Sequence, residues 1–474
     1  MNNMKIFKYI FLAAIITVSC DDLLEIEPKG EIIADDALQT PQDMQELLNS
    51  AYDALRGDGG DFFGGRVQSI SEVMSDNIDG SQTNLNNADF RAYYNKTSTF
   101  FTGYTQGMFD EPHYVIYRAN VLLKNLDLIE GLSEAEQARI GGEAKFLRAI
   151  CYFELVRLFA QPYGFTPENT HLGVVLRIEP SAEAKNRNTV AEVYEQIVSD
   201  LSDAANSLPT SNGVYADAWA AKAYLAKVHF FMHDYETAFN IASDVLNNGP
   251  HAFNPDAEEF QARYSPESTN EAIFKMVSNP NDHRGTQLST HFRSDGDNPP
   301  TLRISRDMYE MATADANDLR GQKWYRIDNE GAENEAIFIT KYDSVNYFDV
   351  PLMHVTELKL IRAEAGLELN TSASINTAVD DINDIRTRAG LAPVSSGVGQ
   401  ASLLNTVREE KRKELVTEGQ RFHDLRRRGA AGESDLRIRN SSWDCPGMAI
   451  QFPDTEIAGA GGTDVFTPNT EGGC

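Results

Sequence analysis

Apolar residues at helical spacing recur along this chain in pairs of short segments joined by brief turns. No single pair is wide enough to bury its own apolar face. The segment TPQDMQELLNSAYDALRG opens with Thr40 as N-cap, Pro41 in the first turn and Asp43 completing a capping box. Met44, Leu47, Leu48, Ala51 and Leu55 then share one face, and Gly57 ends the run. DEPHYVIYRANVLLKNLDLI and SEAEQARIGGEAKFLRAICYFELVRLFA make a helical hairpin, the second starting on a Ser133–Glu136 capping box. RNTVAEVYEQIVSDLSDAANSLP follows, closed by Pro209. YADAWAAKAYLAKVHFFMHDYETAFNIASDVLNNG gives two helices around a short His-Asp-Tyr turn, with Ala220, Ala223 and Ala226 permitting close packing. Later, VTELKLIRAEAGLELN pairs with SINTAVDDINDIRTRAG.

Helix–turn–helix units of about 34 residues are the tetratricopeptide signature, here degenerate and interrupted. Stacked units bury a shared core and leave a concave side. The pattern predicts a mostly all-α chain with helices over about 40–57, 110–250 and 352–428. Two interruptions, about 57–107 and 250–350, are polar, aromatic and rich in Gly, Pro and Asp. Loops that long in a compact protein are usually functional. The stretch 443–474 is irregular and Gly-rich and is expected to wrap the surface rather than build a domain.

The first residues, MNNMKIFKYIFLAAIITVSC, have the three-part layout of an export signal: lysines, a short apolar run, then small residues. TVSC resembles a bacterial lipobox, with Thr17 in place of the usual Leu, so 1–19 is expected to be removed and Cys20 lipidated. Acyl chains hold a protein stably on a membrane. Cys445 and Cys474 flank the Gly-rich tail, and a bridge between them suits an exported protein. Cys151 falls inside a helical pattern and is expected to be a small buried residue.

Charge and motifs exclude several functions. Lys and Arg number 42 against 71 Asp and Glu, a formal charge of −29, so the surface repels polyanions and no nucleic-acid partner is expected. No GxSxG elbow, Walker loop or HExxH is present. His229 and His233 have metal-ligand spacing but no third ligand in view, and no metal or cofactor is expected. The basic run REEKRKELVTEGQRFHDLRRRG, residues 408–429, interleaves both signs of charge. Glu409 and Glu410 stand at i,i+3 and i,i+4 to Arg412 and Lys413, while Val407, Leu415, Val416, Phe422 and Leu425 supply an apolar face. That pattern predicts a solvated helix with a buried face, its arginines pairing with Glu418 and Asp424.

The same run resembles the C-terminal signature of the SusD/RagB family of Bacteroidetes outer-membrane lipoproteins. Glu410, Lys411, Arg412, Glu414, Leu415, Glu418, Gly419, Arg421, Asp424, Leu425, Arg426, Arg427 and Gly429 occupy its places, with Lys411 a mild departure. YRANVLL, GEAKFLRAICYFELVRLFA, EVYEQIVSDLSDAANSLP, ELKLIRAEA and FPDTEI are similar to other family segments in the right order. His354 stands where an Arg is usual. The resemblance implies one SusD-like domain over 20–474, built on tetratricopeptide-like units with a loop-rich half. It implies a lipid-anchored protein on the outer cell surface beside a SusC-like TonB-dependent β-barrel. Such a protein captures oligosaccharides, or peptides in the RagB branch, and has no catalytic residues. A surface hydrolase and a scaffold that binds only proteins are the competing readings.

Saccharides present C–H faces to flat rings and hydroxyls to planar polar groups, so a capture site needs both on loops over a rigid scaffold. Asp76 to Tyr104 and His291 to Tyr325 are the two loop regions that qualify. Within them Trp324, Tyr325, Tyr93, Tyr94 and Tyr104 are the candidate stacking residues, and Asp76, Asn77 and Arg293 the candidate hydrogen-bonding ones. Trp219, among small helical residues, is expected in the core.

Overall fold

The computed structural model describes residues 38–81, 85–181, 183–257, 264, 270–343, 346–471 and 473–474. Cys20 and the expected leader lie outside the described residues.

Helices come in chain order as α1 (Pro41–Ala54), α2 (Arg66–Met74), α3 (Ala88–Asn95), α4 (Thr105–Asn125), α5 (Glu134–Phe159), α6 (Val190–Ser207), α7 (Ala218–Phe231) and α8 (Tyr235–Asn248). The chain then forms β1 (Ala272–Met276), α9 (Thr286–Phe292), α10 (Arg306–Thr313), α11 (Leu319–Lys323), β2 (Tyr325–Asp328), β3 (Ala336–Ile339) and β4 (Val350–His354). Last come α12 (Val355–Leu369), α13 (Ser372–Arg388), α14 (Gln400–Glu414), α15 (Arg421–Ala430), β5 (Arg437–Ile438), β6 (Ser441–Ser442) and α16 (Asp454–Gly459). The expected capping boxes close at Thr40–Asp43 and Ser133–Glu136, each satisfying otherwise orphaned N–H groups of the first turn.

Neighbours in space follow the helical pairing. α1 packs on α4, α4 on α5, α5 on α6, α6 on α7 and α7 on α8. α8 then packs on α12, α12 on α13 and α14. The helical stack thus continues directly from α8 to α12, and residues 249–354 are an insertion between adjacent members. β1 and β4 pair antiparallel, Ala272 opposite His354 and Met276 opposite Val350, so the insertion leaves and rejoins at one place. One large apolar core runs through α1, α2, α4 to α8 and α12 and takes in side chains of the insertion and the C-terminal stretch, and a smaller cluster joins α12, α13 and α14 through Leu360, Ile382 and Leu403.

The structure corrects several sequence expectations. Residues 57–107 are not a plain loop: they hold α2 and α3. Every residue of α2 is buried, including Arg66, Gln68, Ser69, Ser71 and Glu72, so it lacks the polar stripe by which a surface helix is recognised. The basic run is not one helix either, because the chain turns between α14 and α15. Gly419 in that turn has φ of +74°, and a Cβ on it would stand 2.7 Å from the Gln68 Cα. Nor is the run solvated. Glu410, Lys411, Lys413, Glu414, Asp424, Arg426 and Arg427 are buried. Arg320 pairs with Asp318 (2.8 Å), Glu410 (2.6 Å) and Glu414 (3.1 Å), and Arg388 with Glu271 (2.6 Å) and Glu414 (3.2 Å). Arg427 pairs with Glu364 (2.6 Å) and Asp424 (2.9 Å).

The C-terminal stretch enters the main core, burying Met448, Ile450, Phe452 and Phe466, rather than only wrapping the surface. Asn469 donates to the Phe159 and Ile450 carbonyls, both at 2.8 Å, and Cys445 and Cys474 form a disulfide. Gly447 lies so close to α3 that a Cβ there would meet the Lys96 carbonyl oxygen at 1.9 Å. The Gln451 N–H also donates to the Ser98 hydroxyl at 3.1 Å. The bridged tail is therefore a clasp seated on residues 96–98. Cys151 is buried, whereas Trp219 is only partly so, with the Lys222 ammonium 4.7 Å from its ring centroid.

Candidate functional site

The two loop regions read from the sequence meet on one face. The Asp79 N–H donates to the Arg303 carbonyl at 2.9 Å, and Ile78 bridges Ile304. Tyr309 and Tyr325 meet edge to face at 5.7 Å, and Arg326 donates to the Ser294 carbonyl at 2.8 Å.

Asp76 stands just past the C-terminus of α2, partly exposed. Arg421 donates to both its oxygens, at 2.8 and 2.9 Å, and Arg412 lies 3.4 Å away. Burial acts to raise its pKa, but the Arg421 hydrogen bonds and the two guanidinium charges hold it well below the usual carboxylate range. Asp76 therefore faces the loop surface as one half of a fork-to-fork ion pair. Tyr94 lies beside this group, partly exposed, with the Arg439 guanidinium 3.6 Å from its ring centroid. Arg439 also donates to the carbonyls of Val73, Ser75 and Tyr94, closing the end of α2 and fixing α3 against it.

Other candidates are placed differently. Trp324 and Tyr93 are fully buried and cannot stack on a ligand. Trp324 fills the space behind β2, under the Lys341 ammonium, 4.6 Å from its ring centroid. Tyr93 braces the loop from inside: its hydroxyl donates to the Gly103 carbonyl at 2.7 Å and meets the Thr105 hydroxyl at 2.6 Å. Asn77 is buried too, donating to Glu72 at 2.9 Å and accepting from Arg412 at 2.8 Å, so its amide is spent within the protein. Tyr104 is partly exposed, the Arg66 guanidinium 3.7 Å from its ring centroid. Tyr325 shows part of its ring, but its hydroxyl end is buried. Arg293 is partly exposed and paired with Asp295 at 2.6 Å.

Four contributors escaped the sequence reading, Arg439 among them. Phe101 is 79% exposed at the tip of the loop between α3 and α4. Arg412 and Arg421 belong to the basic run but pair with Asp76, more than 300 residues away in sequence. Of the pairs expected for that run, Arg427 does take Asp424, whereas Glu418 bonds Lys341 (2.8 Å) and His354 (3.0 Å). Only the bare aromatic pair Phe100–Phe101 could have been read in advance; the arginine placements depend on the fold.

An internal polar space beside α2, lined by Gln68, Glu154, Arg157, Lys227, Tyr342 and Glu418, holds about 30 Å³, room for water rather than a sugar. Among the described residues no three His, Cys, Asp or Glu side chains gather as metal ligands.

Residues 24–230 match the family described as starch-binding and associating with the outer membrane, SusD-like, and residues 260–441 match the SusD family. SusD-like protein P2 of Formosa agariphila is 26% identical over 90% of this chain and 91% of its own length. SusD-like protein P38 of the same organism is 23% identical over 91% and 93%. Among solved structures, a SusD superfamily protein from Bacteroides vulgatus superposes with a TM-score of 0.79 at 22% identity, covering 91% of this chain and 99% of its own. The surface glycan-binding protein A of Bacteroides uniformis gives 0.74 at 20% identity, and a laminarin-binding SusD-like protein 0.71 at 21%, each over 91% of this chain and 99% of its own. The helical stack with its loop-rich insertion is the fold these structures share, and the chain belongs to the SusD family.

Proposed function

We propose that this protein captures oligosaccharides on the outer cell surface, anchored through lipid on Cys20, and passes them to a SusC-like TonB-dependent β-barrel. One observation carries the reading: on the loop face, the Tyr94 ring is held by Arg439 beside the Asp76–Arg421 pair. A flat ring takes the C–H face of a sugar, and a carboxylate and guanidinium already locked together offer acceptors and donors to its hydroxyls at little ordering cost. Phe101 adds an exposed ring on the loop that follows α3. Family membership and the glycan-binding relatives point to the same ligand class.

Isothermal titration of the full-length chain in detergent, against oligosaccharides chosen from a glycan array, tests it. Tyr94→Ala is expected to weaken binding by about tenfold or more, roughly 1.4 kcal/mol. Phe101→Ala is expected to weaken it with no change in melting temperature, its ring being mostly in water. Unchanged affinity in both variants, or binding only to peptides, overturns the assignment.

A further inference from the structure

A second concave surface shares no residue with the loop face. It lies between α1, the turn from α6 to α7, and β1, and has about 510 Å³, within the range of roughly 300–1,000 Å³ usual for small-ligand pockets. Three exposed apolar side chains converge on it: Val214 (58% exposed), Tyr215 (37%) and Val277 (42%). Its aromatic wall is held from behind. The Tyr215 ring packs on Tyr52 at 4.8 Å, the Ala216 N–H donates to the Tyr52 oxygen at 3.0 Å, and Tyr52 bonds the Glu143 carboxylate. Asn212 in turn donates to the Ala216 carbonyl at 2.9 Å, so the turn carrying Tyr215 is fixed before any ligand arrives.

The polar side of the cleft identifies the ligand class. Asp53 is paired with Arg284 at 2.6 Å, Arg284 also holds Asp282, and Lys275 pairs with Asp349 at 2.8 Å. All of these charges already have opposite partners, so none is left bare to select an ion. They remain, with the exposed Asn49 amide, a row of hydrogen-bond donors and acceptors opposite an aromatic and aliphatic wall. A neutral polyhydroxyl ligand fits that combination better than an acidic or basic peptide.

We infer that this cleft is a second saccharide-binding site, with Tyr215 as its stacking platform and Asn49, Asp53 and Arg284 as its hydroxyl contacts. The inference takes its ligand class from the capture reading above but rests on separate residues. Two sites on one rigid chain that both engage a long glycan bind it more tightly than either alone.

The test is titration of the full-length chain in detergent with short neutral gluco-, xylo-, manno- and galacto-oligosaccharides, comparing Tyr215→Ala, Asn49→Ala and Tyr94→Ala. Two saccharides per wild-type chain are expected, with Tyr215→Ala and Asn49→Ala each weakening one of them by about tenfold and leaving the other. Tyr215→Phe keeps the platform and is expected to bind like wild type, which separates loss of stacking from loss of folding. Binding lost in Tyr94→Ala but unaltered in Tyr215→Ala and Asn49→Ala overturns the second cleft alone. Binding lost in Tyr215→Ala and intact in Tyr94→Ala overturns the loop-face assignment and keeps the cleft. No binding to any member of the panel overturns both.

Discussion

His291 and His423 hold the buried helix α2 from two sides, His291 at 2.6 Å from the Ser69 hydroxyl and His423 at 3.1 Å from that of Ser71. Burial, followed by the charge of Arg66, lowers the His291 pKa to about 3, and burial with nearby cations takes His423 well below its ordinary value. Both rings are neutral in the fold and take a proton in the unfolded chain below about pH 6.5. The stability they contribute is therefore complete above that pH and falls away as the medium is acidified. Glu72 works in the opposite sense. Burial lifts its pKa to about 7 despite hydrogen bonds from Asn77 and Gly419. From about pH 7 down to 4.5 the folded state gains protons before the unfolded one does, and acidification there favours folding. Urea unfolding across this range is expected to show acid destabilisation setting in near pH 6.5, steeper in Glu72→Gln than in wild type. An identical slope in the two proteins would refute the role given to Glu72. Residue by residue, the sequence was a poor guide to exposure. Trp324 and Tyr93 look like platforms only until their neighbours are known.

Among elements, α14 and α15 show what periodicity can and cannot convey. Helical spacing in 400–414 was legible because Leu403 and Val407 face the small core beside α12 and α13. The fate of the charges was not, since Glu364, Glu271, Arg320 and Arg388 arrive from elsewhere in the chain. α2 was invisible for the converse reason: a helix surrounded on every side carries no stripe to find. Glu364 is the carboxylate on which Arg408 (3.1 Å) and Arg427 (2.6 Å) converge, together with Lys411. Burial works against its ionisation, but those cations hold its pKa low. Glu364→Ala leaves them facing one another inside the protein, and a loss of about 3–5 kcal/mol in unfolding free energy is expected from chemical denaturation. A loss under about 1 kcal/mol would mean that water reaches the cluster and screens it.

On the scale of the whole molecule, the helical stack and the loop-rich insertion divide the work. α8 packs directly on α12, yet the insertion is continuous with the main core, to which it contributes Phe292, Ile304, Trp324 and Phe348. The paired segments of the stack were legible from their helical spacing, whereas the burial of α2 and of much of the insertion was not. The tail was legible only as irregular, because its seat on residues 96–98 depends on Gly447 approaching a carbonyl far away in sequence. The Cys445–Cys474 bridge closes a separation of 29 residues. A Cys474→Ser variant is expected to lose about 3–4 kcal/mol in the chain-entropy account, with earlier proteolysis of the tail as the visible sign. If melting and proteolysis match the wild type, hydrogen bonds such as those of Asn469 hold the tail unaided. The clasp also bears on how samples are made. Material in which the bridge is reduced differs from bridged material of the same chain by only two hydrogens in mass. Its loop from residue 96 to Tyr104 would nevertheless rest on a looser footing, so lots indistinguishable on a gel would give different binding titres. A free-thiol count belongs beside every affinity measured on this protein.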